Sequence, residues 1–186
     1  MLLVDVRIKN YKCILDSETF TVDQMTCLVG KNESGKSAIL QALYKLNPVD
    51  KEDIYDALYE YPKMYQTDFE AGEIPDGNTV LISHWKFTEN EITEIDALFG
   101  SGFITKSTIV TITNGYDNHR SWSFEPNFEK LFTKKTADFA FGDPDRAQIT
   151  KFDSISDIRT QLNQLSVLSD AEQSFKDWFD EAFPND

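Results

Sequence analysis

Residues 30–37 bring two glycines, a lysine and a serine together at a characteristic spacing, Gly30-Lys31-Asn32-Glu33-Ser34-Gly35-Lys36-Ser37. The apolar residues 25–29 ahead of this segment predict a short buried strand, and residues 38–46 behind it predict a helix. A loop between a strand and a helix curls tightly only where glycine supplies backbone conformations that other residues avoid. The pattern therefore predicts an α/β fold built around this loop.

The chemistry of the loop is that of a triphosphate site. Backbone N–H groups of the loop and of the first helical turn bind anionic oxygens, and the helix dipole adds positive potential. Lys36 is predicted to contact the β- and γ-phosphates, and the Ser37 hydroxyl to coordinate Mg²⁺. The alternative is a glycine-serine turn that matches by chance, but the flanking strand and helix favour nucleotide binding. The residues predicted to bind phosphate are Gly30, Lys31, Asn32, Glu33, Ser34, Gly35, Lys36 and Ser37.

The composition limits the classes of function. With 186 residues and 40% hydrophobic content, we expect one main core with an appendage. The net charge of −14 would repel a nucleic-acid duplex, so direct nucleic-acid binding by this segment is not expected. No apolar run is long enough to span a bilayer, and we expect no secretory signal. The two cysteines, Cys13 and Cys27, are predicted to be buried thiols. These features predict a cytoplasmic protein.

The hydrophobic pattern predicts the order of the elements. Strands are expected at residues 2–8, 17–22 and 79–87, and a hairpin is expected from strands at 108–113 and 121–124, joined by Asn114-Gly115 and a short polar loop. Ile39, Leu40, Leu43 and Leu46 are predicted to anchor the helix after the loop. Further helices are expected after Thr88, around residues 155–165 and after Ser169. We therefore predict a nucleotide-binding lobe over residues 1–126 and a helical region over 127–186.

The opening of the chain resembles the start of the RecF/SMC/OLD group of ABC-class ATPases. The segments that carry the resemblance are Ile8-Lys9-Asn10-Tyr11-Lys12, Cys27-Leu28-Val29 with the loop 30–37, and Leu40-Gln41-Ala42-Leu43. The Asn32-Glu33-Ser34 form of the loop, followed by Leu46-Asn47-Pro48, is most similar to the bacterial AAA/OLD-type ATPases. The resemblance is specific over residues 1–50 and weaker to about residue 125.

The resemblance implies a P-loop NTPase lobe of the ABC-ATPase head type. Its fold would be α/β, with a mixed or antiparallel N-terminal sheet around the helix of the loop and a helical C-terminal part. ATP and Mg²⁺ would be the ligands, and Lys12 would be a basic residue that reaches the nucleotide. The alternative for Lys12 is a solvated surface lysine. The resemblance also implies a homodimer or partner subunit with ATP between the heads, and a role in DNA repair or anti-phage defence.

An ATPase of this class also needs an apolar strand ending in Asp-Glu and a signature loop. Neither is evident, so no catalytic residue is identified. Gly100-Ser101-Gly102 follows a predicted helix and indicates a helix end, and Asp143-Pro144-Asp145 indicates a turn. His84 and His119 are predicted to be structural. We therefore expect ATP–Mg²⁺ binding with poor hydrolysis by this chain alone. The alternative is a self-contained nucleotide-sensing regulatory or interaction module without hydrolysis.

Overall fold

The chain forms two compact units. The computed structural model describes residues 1–32, 34–51, 53–139, 154–164 and 168–184. The first unit comprises Met1–Lys86 and Ile109–Glu125, and the second comprises Phe87–Thr108 and Pro126–Asp186. The division into domains 1–126 and 127–186 stays a prediction. The structure groups Phe87–Thr108 with the second unit, whereas the sequence-based division assigns this segment to the first domain.

The first unit is built on an antiparallel sheet. Its strands are β1 (Leu2–Tyr11), β2 (Ile14–Asp16), β3 (Phe20–Thr21), β4 (Thr79–Lys86), β5 (Ile109–Gly115) and β6 (Arg120–Ser123). The order across the sheet is β2-β1-β4-β5-β6, and β3 also pairs with β1. In the register of the central strands, Val6 lies opposite Ser83 and Ile82 lies opposite Thr113. Only residues 20 and 21 of the predicted strand at 17–22 form a strand, which is β3; residues 17–19 connect β2 to β3.

One longer helix and several short ones complete the first unit. They are α1 (Lys36–Tyr44), α2 (Ala57–Glu60), a 3-10 turn (Lys63–Tyr65) and α3 (Gln66–Glu70). Helix α1 packs against β1 and β4. The buried core consists of Ile8, Tyr11, Ile14, Ala38, Ala42, Tyr55, Tyr61, Val80, Leu81 and Tyr116. The predicted α/β class, with an antiparallel sheet around the helix of the loop, is confirmed.

The buried face of α1 differs from the predicted one. Ala38 and Ala42 are the buried residues of the helix, while Leu40 is 60% exposed, so its predicted anchoring role is wrong. Ile39, Leu43 and Leu46 are partly buried against the core. The small alanine side chains let the helix lie close to the sheet, and the larger aliphatic residues then pack along its flank.

The predicted hairpin is present, and its connection is shorter than the predicted one. Asn114 and Gly115 belong to β5, and Asn114 pairs with Arg120 across the hairpin. The chain reverses at residues 116–119, where Asn118 has a φ of 56°. The Tyr116 hydroxyl donates to Asn10 O at 2.5 Å, which holds the end of β5 against β1. Asn114 and Gly115 thus extend the strand instead of forming part of the connection.

The second unit contains four helices within the described residues. They are α4 (Glu89–Phe99), α5 (Phe128–Asp138), α6 (Ile155–Gln164) and α7 (Asp170–Ala182). The predicted capping boxes at Thr88 and Ser169 are both present, and Gly100 ends α4 with a φ of 101°. Helix α5 was not predicted, although the Asn127 side chain caps it by accepting from Lys130 N at 3.2 Å. Phe175 and Phe179 of α7 are fully buried, so the aromatic face predicted there is part of a core.

Tyr61 carries a buried hydroxyl that has no hydrogen-bond partner among the described residues. Its ring is 2% exposed and stacks on Phe69 with ring centroids 4.2 Å apart. A buried polar group without a partner costs free energy, while its replacement by an apolar group of the same shape does not. We expect Tyr61→Phe to raise the free energy of unfolding by about 1 kcal/mol in urea denaturation.

Tyr55→Phe is the matched control for Tyr61→Phe. The Tyr55 ring is also buried, but its hydroxyl donates to Ala42 O at 2.8 Å. Removal of this hydrogen bond should lower the free energy of unfolding by about 1 kcal/mol. If both variants lose stability, the Tyr61 hydroxyl is satisfied in solution by a bound water, and the expectation for Tyr61 is wrong.

Candidate nucleotide-binding site

The loop at residues 30–37 leads directly into the N-terminus of α1. Gly35 precedes the helix with a φ of 87°, a left-handed conformation that favours glycine. A Cβ atom at Gly35 would lie 3.4 Å from Cys13 Sγ and from Ile14 Cγ1, so the backbone of the loop lies close to the β1–β2 turn. No side chain caps the helix, whose first N–H groups therefore remain available to an anion.

The Lys36 ammonium closes the loop. Lys36 Nζ donates to Gly30 O at 2.8 Å, to Lys31 O at 2.6 Å and to Ser34 Oγ at 3.3 Å. A Cβ atom at Gly30 would lie 2.8 Å from Ser34 Oγ, so a larger residue would crowd the loop. All three hydrogen bonds are exposed. Phosphate oxygens approaching from solvent can therefore compete for the ammonium group, which is a charge-assisted donor.

A pocket of about 560 Å³ lies beside the start of α1. Its lining residues are Lys12, Cys13, Asn32, Gly35, Lys36, Ser37, Ala38 and Gln41. The volume is in the range of sites for nucleotide-sized ligands. The pocket brings together five predicted residues, and Gly30, Lys31 and Ser34 contact the Lys36 ammonium at its edge. Glu33 lies outside the described residues.

Lys12 lies at the pocket, in the turn that follows β1. Its backbone has a φ of 54°, and its N–H donates to Glu60 O at 2.6 Å. Lys12 Nζ donates to Gln41 Oε1 at 2.5 Å. Gln41 lies four residues after Ser37 and thus on the same side of α1. The ammonium groups of Lys12 and Lys36 therefore border one cavity, an arrangement that suits a ligand with several negative charges.

Two of three comparisons with known proteins find a match for the chain. No curated protein matches it. A solved structure from work on "ATP-driven dimerization and DNA stimulated activation of SMC ATPases" aligns over 96% of this chain and 99% of that chain, with 12% identity and a TM-score of 0.37. The family described as AAA ATPase domain matches residues 1–181. The chain belongs to this AAA ATPase domain family. The predicted AAA-type ATPase family is confirmed by this match, and with it the P-loop NTPase fold.

Membership of an ATPase family makes ATP the nucleotide to test against the pocket. Mg²⁺ in nucleotide sites is usually held by one or two protein oxygens together with phosphate oxygens and water. The Ser37 side chain at the pocket fits this requirement. In the described parts of the chain, no group of three or more His, Cys, Asp or Glu residues could hold a metal ion.

The segment before the loop departs from the prediction. Residues 25–29 were expected to form a buried strand, but the structure has no strand there, and Met25 and Val29 are 91% and 90% exposed. A strand forms only where a neighbouring strand accepts its hydrogen bonds. None of the described strands of the AAA ATPase domain pairs with this segment. The apolar side chains of Met25 and Val29 are therefore left uncovered by the described residues.

The cysteines are exposed, contrary to the prediction of buried thiols. Cys13 lies in the turn between β1 and β2 and lines the pocket, and Cys27 lies in the exposed segment before the loop. Cys13 lies between two strands as expected, but its side chain is exposed, and the strand expected around Cys27 is not present. No motif in the sequence indicates that Cys13 or Gln41 lines the pocket.

The other described residues that were singled out from the sequence do not line the pocket. His84 Nδ1 lies 2.5 Å from Asp5 Oδ1 across the β1–β4 pair, and His119 lies in the β5–β6 turn. Gly100 ends α4, as predicted from Gly100-Ser101-Gly102. Asp143-Pro144-Asp145 lies outside the described residues. Among the described helices, none is long and apolar enough to cross a membrane.

Proposed function

We propose that residues 30–37 and Lys12 form the ATP–Mg²⁺ site of an ABC-type ATPase head. The observation that carries the proposal is the Lys36 ammonium, which lies over the Gly30 and Lys31 carbonyls beside the uncapped start of α1. Backbone N–H groups of the loop and of α1 would bind the phosphates, Lys36 and Lys12 would supply positive charge, and Ser37 would hold Mg²⁺. The family membership supports ATP as the nucleotide.

The surroundings of the pocket favour slow hydrolysis by this chain alone. Hydrolysis needs a group that positions or deprotonates the attacking water. Among the described residues that line the pocket, none carries a carboxylate. We infer that a second lobe, or a partner head in a homodimer or hetero-oligomer, supplies that group. The exposed apolar residues Met25 and Val29 before the loop, and Leu40 and Tyr44 on α1, support such a contact.

The biological role is also a proposal. We propose that the chain, as part of a RecF/SMC/OLD-type ATPase, acts in DNA repair or anti-phage defence in the cytoplasm. The net charge of −14 makes DNA contact by this segment unfavourable, so another part of an assembly would bind DNA.

The second candidate function is a nucleotide-sensing module that does not hydrolyse ATP. The observation that favours it is the closed helical core of the second unit, in which Phe132, Ile158 and Phe179 are each at most 1% exposed. The two candidates differ in how turnover depends on concentration. A head that dimerises around ATP should show phosphate release that rises faster than linearly with protein concentration, while a sensing module should show none.

Calorimetric titration of the purified chain with ATP tests the shared part of both candidates. We expect saturable binding with Mg²⁺, and Ser37→Ala should weaken it roughly tenfold because a hydroxyl ligand is lost. With EDTA in place of Mg²⁺, the two proteins should bind ATP equally. Absence of saturable binding, or equal loss by Ser37→Ala in EDTA, would contradict the assignment of Ser37 to the metal.

A further inference from the structure

Glu60 is a buried carboxylate shared by three segments of the first unit. It ends α2 and is 8% exposed. Its side chain accepts hydrogen bonds from the Tyr11 hydroxyl at 2.8 Å and from Lys45 Nζ at 2.7 and 2.8 Å, one to each oxygen. The Asp56 N–H adds a fourth bond at 3.0 Å. One carboxylate thus joins the end of β1, the residue after α1, and α2.

Glu60 also holds the neighbouring Lys12 through the backbone. The Glu60 carbonyl accepts from Lys12 N at 2.6 Å, and Glu60 Oε1 lies 4.0 Å from Lys12 Nζ. Lys12 has a φ of 54°, a left-handed conformation that lysine rarely adopts without support. The side chain and the backbone of Glu60 therefore fix two consecutive residues, Tyr11 and Lys12, in the turn at the pocket.

These bonds set the distance between the two cations of the candidate site. Lys45 directly follows α1, whose other end carries Lys36 and Ser37. A carboxylate that binds Lys45 and Tyr11 together therefore fixes α1 relative to the turn that presents Lys12. A buried ion pair adds little to stability compared with apolar packing, and such pairs are best explained by the geometry that they specify. The geometry specified here is that of Lys12 at the pocket.

We propose that Glu60 is the positioning residue that holds Lys12 at the triphosphate, an inference that rests on the proposed function of the loop. Glu60 does not line the pocket and would act on the nucleotide only through Lys12. Loss of its charge would weaken the side-chain bonds to Tyr11 and Lys45, so the turn would depend on the backbone bond from Lys12 N and would hold the Lys12 ammonium less firmly beside the phosphates.

A double-mutant cycle on ATP affinity tests the inference. We expect Lys12→Ala and Glu60→Gln each to weaken ATP–Mg²⁺ binding about tenfold, as measured by calorimetry. The double variant should bind no more weakly than Lys12→Ala alone. A purely structural role of Glu60 would weaken binding equally in both backgrounds, and such additivity would overturn the proposal. Thermal unfolding of the four proteins reports loss of stability separately from loss of Lys12 positioning.

Tyr11→Phe provides a milder variant if Glu60→Gln does not fold. It removes only the hydroxyl that donates to Glu60 Oε1 and keeps the buried ring. Its effect on ATP affinity should be smaller, and it should vanish in the Lys12→Ala background. Lys36→Ala separates the two proposals. If Lys36→Ala leaves ATP affinity unchanged, the proposed function fails; if Lys36→Ala weakens binding while the cycle is additive, only the role of Glu60 fails.

Discussion

Lys36→Ala should weaken ATP–Mg²⁺ binding by roughly 10- to 100-fold, the largest effect on affinity that we expect from a single substitution. Lys36 Nζ donates to the carbonyl oxygens of Gly30 and Lys31. If the Lys36 ammonium bonded phosphate oxygens instead, it would form charge-assisted hydrogen bonds, which contribute about 1.5–3 kcal/mol each. Alanine removes these bonds and the positive charge at the loop. Calorimetric or fluorescent-nucleotide titration measures the change.

Lys63→Ala is the matched control for the loss of one positive charge. Lys63 lies on the same unit, and its ammonium donates to Leu58 O at 2.7 Å, away from the pocket lining. This variant changes the net charge by the same amount and should leave ATP affinity within about twofold, because a distant exposed charge is screened. Similar losses in both variants would show that ATP responds to overall charge, and the site at Lys36 would then be wrong.

The features of the fold and of the site that can be predicted from the sequence are those that depend on neighbouring residues. Gly35 with its positive φ, the helix that begins at Lys36 and the capping boxes of α4 and α7 depend on residues within one or two turns. Such features can be recognised in one amino-acid sequence because they depend on short motifs. The placement of Lys12 at the pocket came only from the family resemblance, since the turn that presents it is held by Glu60, far along the chain.

The parts that the sequence does not predict depend on distant partners. The apolar run at residues 25–29 predicted a buried strand, but strand formation needs a neighbour, and none of the described strands provides one. The alanine face of α1 was missed because hydrophobic periodicity weights large side chains over small ones. The role of Glu60 was not predicted, since nothing nearby in the sequence indicates that Lys45 and Tyr11 bond its side chain.

Lys45→Met should cost about 3 kcal/mol of unfolding free energy at pH 7, the largest effect on stability that we expect. The side chains of Lys45 and Glu60 are 12% and 10% exposed, and methionine keeps most of the apolar volume while removing the cation. Burial alone would raise the pKa of Glu60, but hydrogen bonds from Lys45, Asp56 N–H and Tyr11 hold it below its ordinary value of 4.5. The variant therefore removes the hydrogen-bonded cation of a buried carboxylate and leaves only the Lys12 ammonium, 4.0 Å from Glu60 Oε1.

The pH dependence of Lys45→Met distinguishes this cause from a simple packing defect. In the natural chain the folded-state pKa of Glu60 is lowered, so its contribution is present above the unfolded-state pKa and is lost as the pH falls. Without Lys45, burial should raise the folded-state pKa, and the variant should gain relative stability as Glu60 becomes protonated. The difference between the two proteins should thus be largest near pH 7 and should shrink toward about pH 4.5 in urea denaturation.

Lys106→Met is the control for loss of an ion pair in itself. Lys106 and Glu89 form an exposed pair, with side chains 74% and 79% exposed, so the variant should leave the unfolding free energy nearly unchanged. If Lys45→Met and Lys106→Met have equal effects, the Lys45–Glu60 pair behaves as a solvated pair. A loss in Lys45→Met that is constant between pH 4.5 and pH 7 would instead indicate lost packing, because a carboxylate deprived of its cation must respond to its own protonation.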